Sequence, residues 1–200
     1  MRDARVLVLA GGGGHQGPLL AAAGARVMVV DFSGEQLAID RRVADEHGLT
    51  IETLQADMAD LSEIQDDEFD LIINPSSVNF VARVLPVWKE AARVLKPRGV
   101  LIAGLMQPVN FLFDAVQRDR GTLEVRFGIP YSDLDLPDEE RDQTIGPERP
   151  IDFGHSLTDL VGGQLAAGLQ LTDLFEDGWG GDDALSDRIA TFMATRAVKP

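Results

Sequence analysis

Residues 5–31 read RVLVLAGGGGHQGPLLAAAGARVMVVD, and the fold follows from them. Arg5 to Leu9 is an unbroken run of mostly apolar, branched side chains, the composition of a strand covered on both faces of a parallel sheet. Gly11 to Gly14 then make a turn that few other sequences can follow. Pro18 to Ala23 read as a short helix closed by Gly24, and Arg26 to Val30 as a second strand ending on Asp31. Strand, turn, helix and strand in such quick succession predict a parallel sheet with crossover helices.

The turn holds Gly12-x-Gly14-x-x-Gly17, and Asp31 lies 19 residues beyond Gly12. Glycines let backbone amides approach a ligand closely, and the helix that follows presents free N–H groups. An acid at the tip of the second strand accepts hydrogen bonds from both hydroxyls of a ribose. The arrangement predicts an adenosine-containing cofactor over a ligand-free glycine turn. By itself it does not separate a nicotinamide dinucleotide from S-adenosylmethionine.

Working outward, Ser33 is placed to cap a helix, with Gln36 completing a capping box and Leu37, Val43 and Ala44 on its buried side. Gly48 stops that helix. Thr50 to Gln55 alternates like a strand and is followed by Asp57, while Asp60 is assigned to a loop away from any ligand. Phe69 to Ile73 is another buried strand. Val84, Leu85, Trp88, Ala91, Ala92 and Leu95 recur at helical spacing, with Pro86 near the helix start and Pro97 and Gly99 ending it. Val100 to Ala103 return as a strand.

Residues 107–150 break the rhythm. Acidic side chains from Asp133 to Asp142, with Pro130, Pro137, Pro147 and Pro150, mark an excursion from the sheet and suggest a solvated, flexible lid. Ser156 then reads as the cap of a helix through Ala167, stopped by Gly168. Leu169 to Phe175 and Thr191 to Val198 read as the last two strands. The expectation is one domain over residues 1–200.

The chain carries 18 basic and 33 acidic side chains, a formal charge of −15. Such a surface repels phosphate backbones, which argues against nucleic acid and anionic membranes as partners and for a small-molecule substrate. Without cysteine there is no disulfide framework, thiolate nucleophile or Cys-based zinc site, and a cytoplasmic location is the natural expectation. The first residues lack signal-peptide architecture, and no run approaches the ~20 apolar residues of a membrane span. His15, His47 and His155 are scattered without ligand-spaced partners, so no metal site is expected. The acidic stretch lacks the spacing of a calcium loop. Ser76 and Ser77 follow a strand but sit outside a Gly-x-Ser-x-Gly elbow. His15 reads as a loop residue and His155 as a structural one. Phe111 and Phe113 fit a pocket wall or the core equally well.

Taken in chain order, Ala10-Gly-Gly-Gly-Gly14, Asp31-Phe32-Ser33-x-x-x-Leu37, Ala56-Asp57-Met58, Phe69-Asp-Leu-Ile-Ile73 and Ala92-Arg-Val-Leu-Lys-Pro-Arg-Gly99 form a recognisable series. It resembles the class I S-adenosylmethionine-dependent methyltransferases, particularly those acting on small molecules. The likeness covers about residues 5–105 in detail and extends weakly to the closing TFMATRAVKP; RVLKPRG is its most specific element. It implies an α/β fold: a doubly wound, Rossmann-like, mostly parallel sheet of seven strands, order 3-2-1-4-5-7-6, with the last-added strand antiparallel. It also implies S-adenosylmethionine as cofactor and methyl transfer to a small molecule. The backbone of Ala10, Gly11, Gly12 and on to Gly14 would line the methionine half of the cofactor, and Asp31 would hold the ribose. Phe32 would pack on the adenine, Asp57 accept from its amino group and Met58 lie against the ring, with Asn74 facing the methionine portion. No catalytic side chain and no oligomeric state is assigned.

Three departures accompany the resemblance. Val8 stands where the family usually carries an acid, and Ala10 where a glycine is common. Strand one begins after only four residues, where relatives normally have a helical segment that covers the cofactor; either the protein lacks that segment or it lies outside this sequence. Two alternatives therefore stand beside methyl transfer: an NAD-dependent oxidoreductase, and a non-catalytic domain that keeps the fold.

Overall fold

The computed structural model describes residues 1–144, 149–180 and 183–200; Pro147, cited above for the excursion, lies outside them. Its strands are β1 (Arg5–Leu9), β2 (Arg26–Asp31), β3 (Ile51–Gln55), β4 (Phe69–Pro75), β5 (Leu95–Met106), β6 (Tyr131–Ser132), β7 (Phe153–Gly154), β8 (Gln170–Asp177) and β9 (Phe192–Val198). Its helices are α1 (Gln16–Ala22), α2 (Gly34–Glu46), α3 (Val84–Val94), α4 (Ala115–Asp119), α5 (Asp138–Thr144) and α6 (Gly163–Ala166). Seven strands form one sheet in the order β3-β2-β1-β4-β5-β9-β8, and β6 and β7 pair separately. β9 runs antiparallel to both neighbours, from Met106↔Phe192 to Val100↔Val198 on one side and Gln170↔Val198 to Asp177↔Phe192 on the other. With β8 and β9 counted as the sixth and seventh strands, this is the doubly wound order that the sequence resemblance implies.

The unbroken apolar character of β1 has a direct cause: it is central, with β2 and β4 on its flanks and helices over both faces. Leu7 and Leu9 pack with Ile72, Trp88, Leu101 and Leu105 on one side of the sheet. Val6 and Val8 pack with Val27, Val29 and Leu37 on the other. Trp88 is fully buried and donates from Nε1 to the Asp159 carbonyl at 2.9 Å. No described helix is long and apolar enough to cross a membrane.

Helix α3 ends earlier than in the sequence reading. α3 ends at Val94, before Pro97, because Leu95 already pairs with Phe69 across β4 and β5. Its last carbonyls are satisfied by the chain entering β4: Asp67 N donates to Arg93 O at 3.1 Å and Glu68 N to Val94 O at 2.8 Å. A helix whose terminal acceptors are met from outside can stop before its proline. The helix expected from Ser156 through Ala167 is present, its first part wound in the wider π form over Thr158–Gly162 and running directly into α6. Ser156 Oγ does accept from Asp159 N at 3.1 Å, and Gly168 ends the segment at φ +91°.

Between β5 and the turn before α6 the chain leaves the sheet. Asp133 is buried there and accepts from the Tyr131 hydroxyl at 2.8 Å and from Asp152 N at 2.7 Å. Phe111 stacks on Tyr131 with 5.6 Å between ring centres. Arg118 of α4 grips Asp183 through two bonds of 2.8 and 2.7 Å, tying the excursion to the β8–β9 connection.

Candidate active site

The carboxyl ends of β1, β2, β3 and β4 converge on one cavity of about 1170 Å³. That exceeds the ~300–1,000 Å³ of a typical single-ligand pocket and lies where strand order reverses, the usual ligand crevice of this architecture. Its floor and walls come from the glycine loop, the β2–α2 junction, residues 56–60 after β3, the loop after β4 and residues 149–153.

The glycine loop takes its shape from three successive left-handed residues, Gly12, Gly13 and Gly14, at φ +71°, +55° and +82°. L side chains avoid that region, which is why a run of glycine is needed. A Cβ at Gly12 would meet nothing within 4 Å, leaving its backbone bare toward the cavity. Gly14 faces the opposite way, with Val43 and Ile39 of α2 standing 3.0 and 3.1 Å from where its Cβ would be. Its N–H donates to Asp40 Oδ1 at 2.8 Å. Gly11 is a packing glycine, since its Cβ would fall 2.7 Å from the Val8 side chain, which is itself fully buried. Ala10 holds a left-handed φ of +50° without the freedom of glycine.

Asp31 ends β2 at the cavity wall, 9% exposed. Its Oδ1 accepts from Ser33 N at 2.8 Å, and among the described residues Oδ2 accepts from none. Ser33 Oγ caps α2 by accepting from Gln36 N at 3.3 Å. The reciprocal half of the expected capping box is absent among the described residues: the Gln36 side chain lies against Gly13 and the cavity. Asp57 is exposed, with Oδ1 accepting from Ala59 N at 2.8 Å, and Met58 beside it is buried. Phe32 stands on the rim, 78% exposed. Asn74 is wholly buried behind the wall and donates to Ser77 Oγ at 3.1 Å, while Ser77 donates to Leu9 O at 3.1 Å.

Of the residues singled out from sequence, Ala10, Gly12, Asp31, Phe32, Asp57 and Met58 line the cavity, whereas Gly11, Gly14 and Asn74 sit behind it. Asp60, read as a loop residue away from any ligand, lines the same cavity. Sequence reasoning missed Ser33, Gln36, Ser77 and the stretch from Phe80 to Arg83; their signal is position, just past the ends of β2 and β4. It also missed Arg149 to Ile151 and Phe153, which lie far along the chain and carry no local signal. This distant wall is pinned from behind: Asn79 donates to Asp152 Oδ1 at 2.6 Å, and Arg149 to Asp152 Oδ2 at 3.2 Å. Burial raises the Asp152 carboxyl above its ordinary range. His155 is buried with Nε2 3.1 Å from the Val78 carbonyl, the structural position expected of it.

Residues 7–103 match the family described as methyltransferase domain. Over all 200 residues the chain is 48% identical to the uncharacterised methyltransferase YbaJ of Bacillus subtilis (strain 168), covering 78% of that protein. The chain belongs to the methyltransferase family. The same fold recurs in two solved S-adenosylmethionine-dependent methyltransferases. That of Mesorhizobium loti superposes with a TM-score of 0.76 at 16% identity, over 99% of this chain and 92% of that one. That of Methanosarcina mazei gives 0.71 at 17% identity, over 100% and 93%. For this methyltransferase the oxidoreductase alternative is not favoured.

Proposed function

We propose that this methyltransferase binds S-adenosylmethionine along the glycine loop, Asp31 and Asp57, and transfers its methyl group to a small molecule held at the other end of the cavity. The observation that carries the reading is one cavity, somewhat larger than a typical single-ligand pocket, with different chemistry at its two ends. At one end the bare backbone of Gly12 and the free Oδ2 of Asp31 suit an adenosyl group, with Met58 as an apolar surface for a base. At the other, Phe80, Pro86, Ile151 and Phe153 supply apolar surface beside Arg83 and Arg149, suited to an organic acceptor.

The bound sulfonium supplies an already activated methyl donor. The chain's own work is then orientation: Asp31 fixes the ribose, the loop supports the amino-acid portion, and the distant wall aligns the acceptor. Holding two reactants in line supplies several kcal/mol of the barrier, and a dry cavity strengthens every polar contact within it. The net charge of −15 disfavours a nucleic-acid substrate and supports a small-molecule acceptor. A thermal-shift titration with S-adenosylhomocysteine against NAD tests the cofactor, since ligand at 100 times its Kd adds about 2.7 kcal/mol of stability. A shift with NAD alone overturns the reading, and no shift with either points to a degenerate domain. Incubation of metabolite pools with methyl-labelled cofactor tests the acceptor, and strong labelling of RNA would contradict a small-molecule role.

A further inference from the structure

Helix α2 reaches the glycine loop with one charged side chain. Asp40 is 1% exposed, and its Oδ1 accepts from Gly14 N at 2.8 Å. Among the described residues it is the one carboxylate bonded to the backbone of residues 10–14, and its Oδ2 has no hydrogen-bond partner. Burying a carboxylate with one oxygen unmatched opposes folding. Burial accordingly pushes the Asp40 carboxyl above its ordinary range, against the pull of the Gly14 N–H. The bond to Gly14 N–H, just before the start of α1, offsets part of that cost and at the same time fixes the loop.

That loop is poorly determined by its own sequence. Three consecutive glycines lose more backbone freedom on ordering than any other residues would. Ile39 and Val43 of α2 limit how far Gly14 can shift, and His15 Nδ1 lies 3.1 Å from Gly12 O on the outer side. Ala10 N donates to Val30 O of β2 at 2.7 Å at the start of the loop, and the bond from Gly14 to Asp40 tethers its far end to α2, while Ala10 and Gly12 face the cavity. α2 is in turn fixed at its start by Ser33, whose N–H is held by Asp31. One helix thus joins the ribose-side acid to the loop.

We infer that Asp40 is a positioning residue for the cofactor: by holding Gly14 N–H it sets the loop surface against which the amino-acid portion of the cofactor lies. This rests on the proposed S-adenosylmethionine site. The test is calorimetry on wild type, Asp40→Ala and Asp40→Asn with two probes. S-adenosylhomocysteine carries the amino-acid portion, and 5′-methylthioadenosine lacks it. Asp40→Ala should weaken S-adenosylhomocysteine at least tenfold, ~1.4 kcal/mol, and leave methylthioadenosine within threefold. Asp40→Asn, whose amide oxygen accepts the same bond, should stay within threefold for both. Unchanged S-adenosylhomocysteine affinity in Asp40→Ala, or an equal loss for both probes, overturns the assignment; an equal loss is what general loosening produces. If Asp40→Ala does not fold, amide exchange in the wild-type complex decides, because an unprotected Gly14 N–H overturns the assignment just as well. Failure of wild type to bind S-adenosylhomocysteine would instead strike at the proposed function.

Discussion

Asp31 offers a sharp test because its two oxygens have different work. Oδ1 accepts from Ser33 N at 2.8 Å, a bond internal to the β2–α2 junction, and Oδ2 is open to the cavity. Asp31→Asn keeps an oxygen for Ser33 but removes the charge and puts a donor where a ribose hydroxyl must donate. A hydrogen bond to a charged group is worth about 1.5–3 kcal/mol, so affinity for S-adenosylhomocysteine should fall by roughly one to two decades. The melting temperature should hardly move, since the junction survives. Asp31→Ala removes both functions. It should show the same loss of affinity and an added ~1 kcal/mol of instability from the unpaired Ser33 N–H, about 2–4 °C for a chain of this size. Asp60 is unsuitable as a control because it lines the cavity; Asp45→Ala, exposed on the far turn of α2 and outside the cavity lining, is the better one. Isothermal titration and a thermal melt on the four proteins give both readouts. Affinity within twofold of wild type for Asp31→Asn would show that Asp31 is only a junction residue and that the cofactor lies elsewhere.

Three further outcomes are expected. Ala10→Gly relieves a left-handed φ of +50°; an L side chain there costs about 1–2 kcal/mol, of which ~0.4–1 is returned through the unfolded state, so urea unfolding should show a gain of up to about 1 kcal/mol. Trp88→Ala empties a fully buried site and orphans the Asp159 carbonyl; a loss of about 3–5 kcal/mol is expected, with an unchanged denaturant slope marking a cavity and not a collapsed fold. The Arg118 pair holds the Asp183 carboxyl well below its ordinary range. A depressed folded-state pKa contributes stability that is complete above the unfolded value of about 3.9 and is lost as pH falls through the folded one. Asp183→Asn should therefore be less stable than wild type at pH 7, with the gap closing only in strong acid; a gap independent of pH would mean that the ion pair contributes nothing.

How much of this was legible in the chain depended on how local each signal is. The apolar runs at Arg5–Leu9 and Arg26–Asp31, the left-handed demand met by Gly12 to Gly14 and the cap at Ser33 are short-range devices. They determined the alternation of strand and helix and the position of Asp31 at a strand tip. The order of the sheet came from resemblance, because nothing within β9 says which strands it will divide. Tertiary structure alone decided the rest. Val94 ends α3 because β4 supplies partners for its last carbonyls. Gly14 and Asn74, which read like neighbours of the ligand, lie behind the cavity wall, the Gly14 N–H bonded to Asp40 of α2 and the Asn74 amide nitrogen to Ser77. Arg149 to Phe153 came to the cavity from far along the chain, held there by Asn79 and Asp152. No local pattern singles out Asp40; only the packing of α2 against the glycine loop shows a carboxylate buried on a single backbone N–H. A sequence displays the bonds a residue makes with its near neighbours, and the opposite wall of this site is made of bonds between residues more than 70 positions apart.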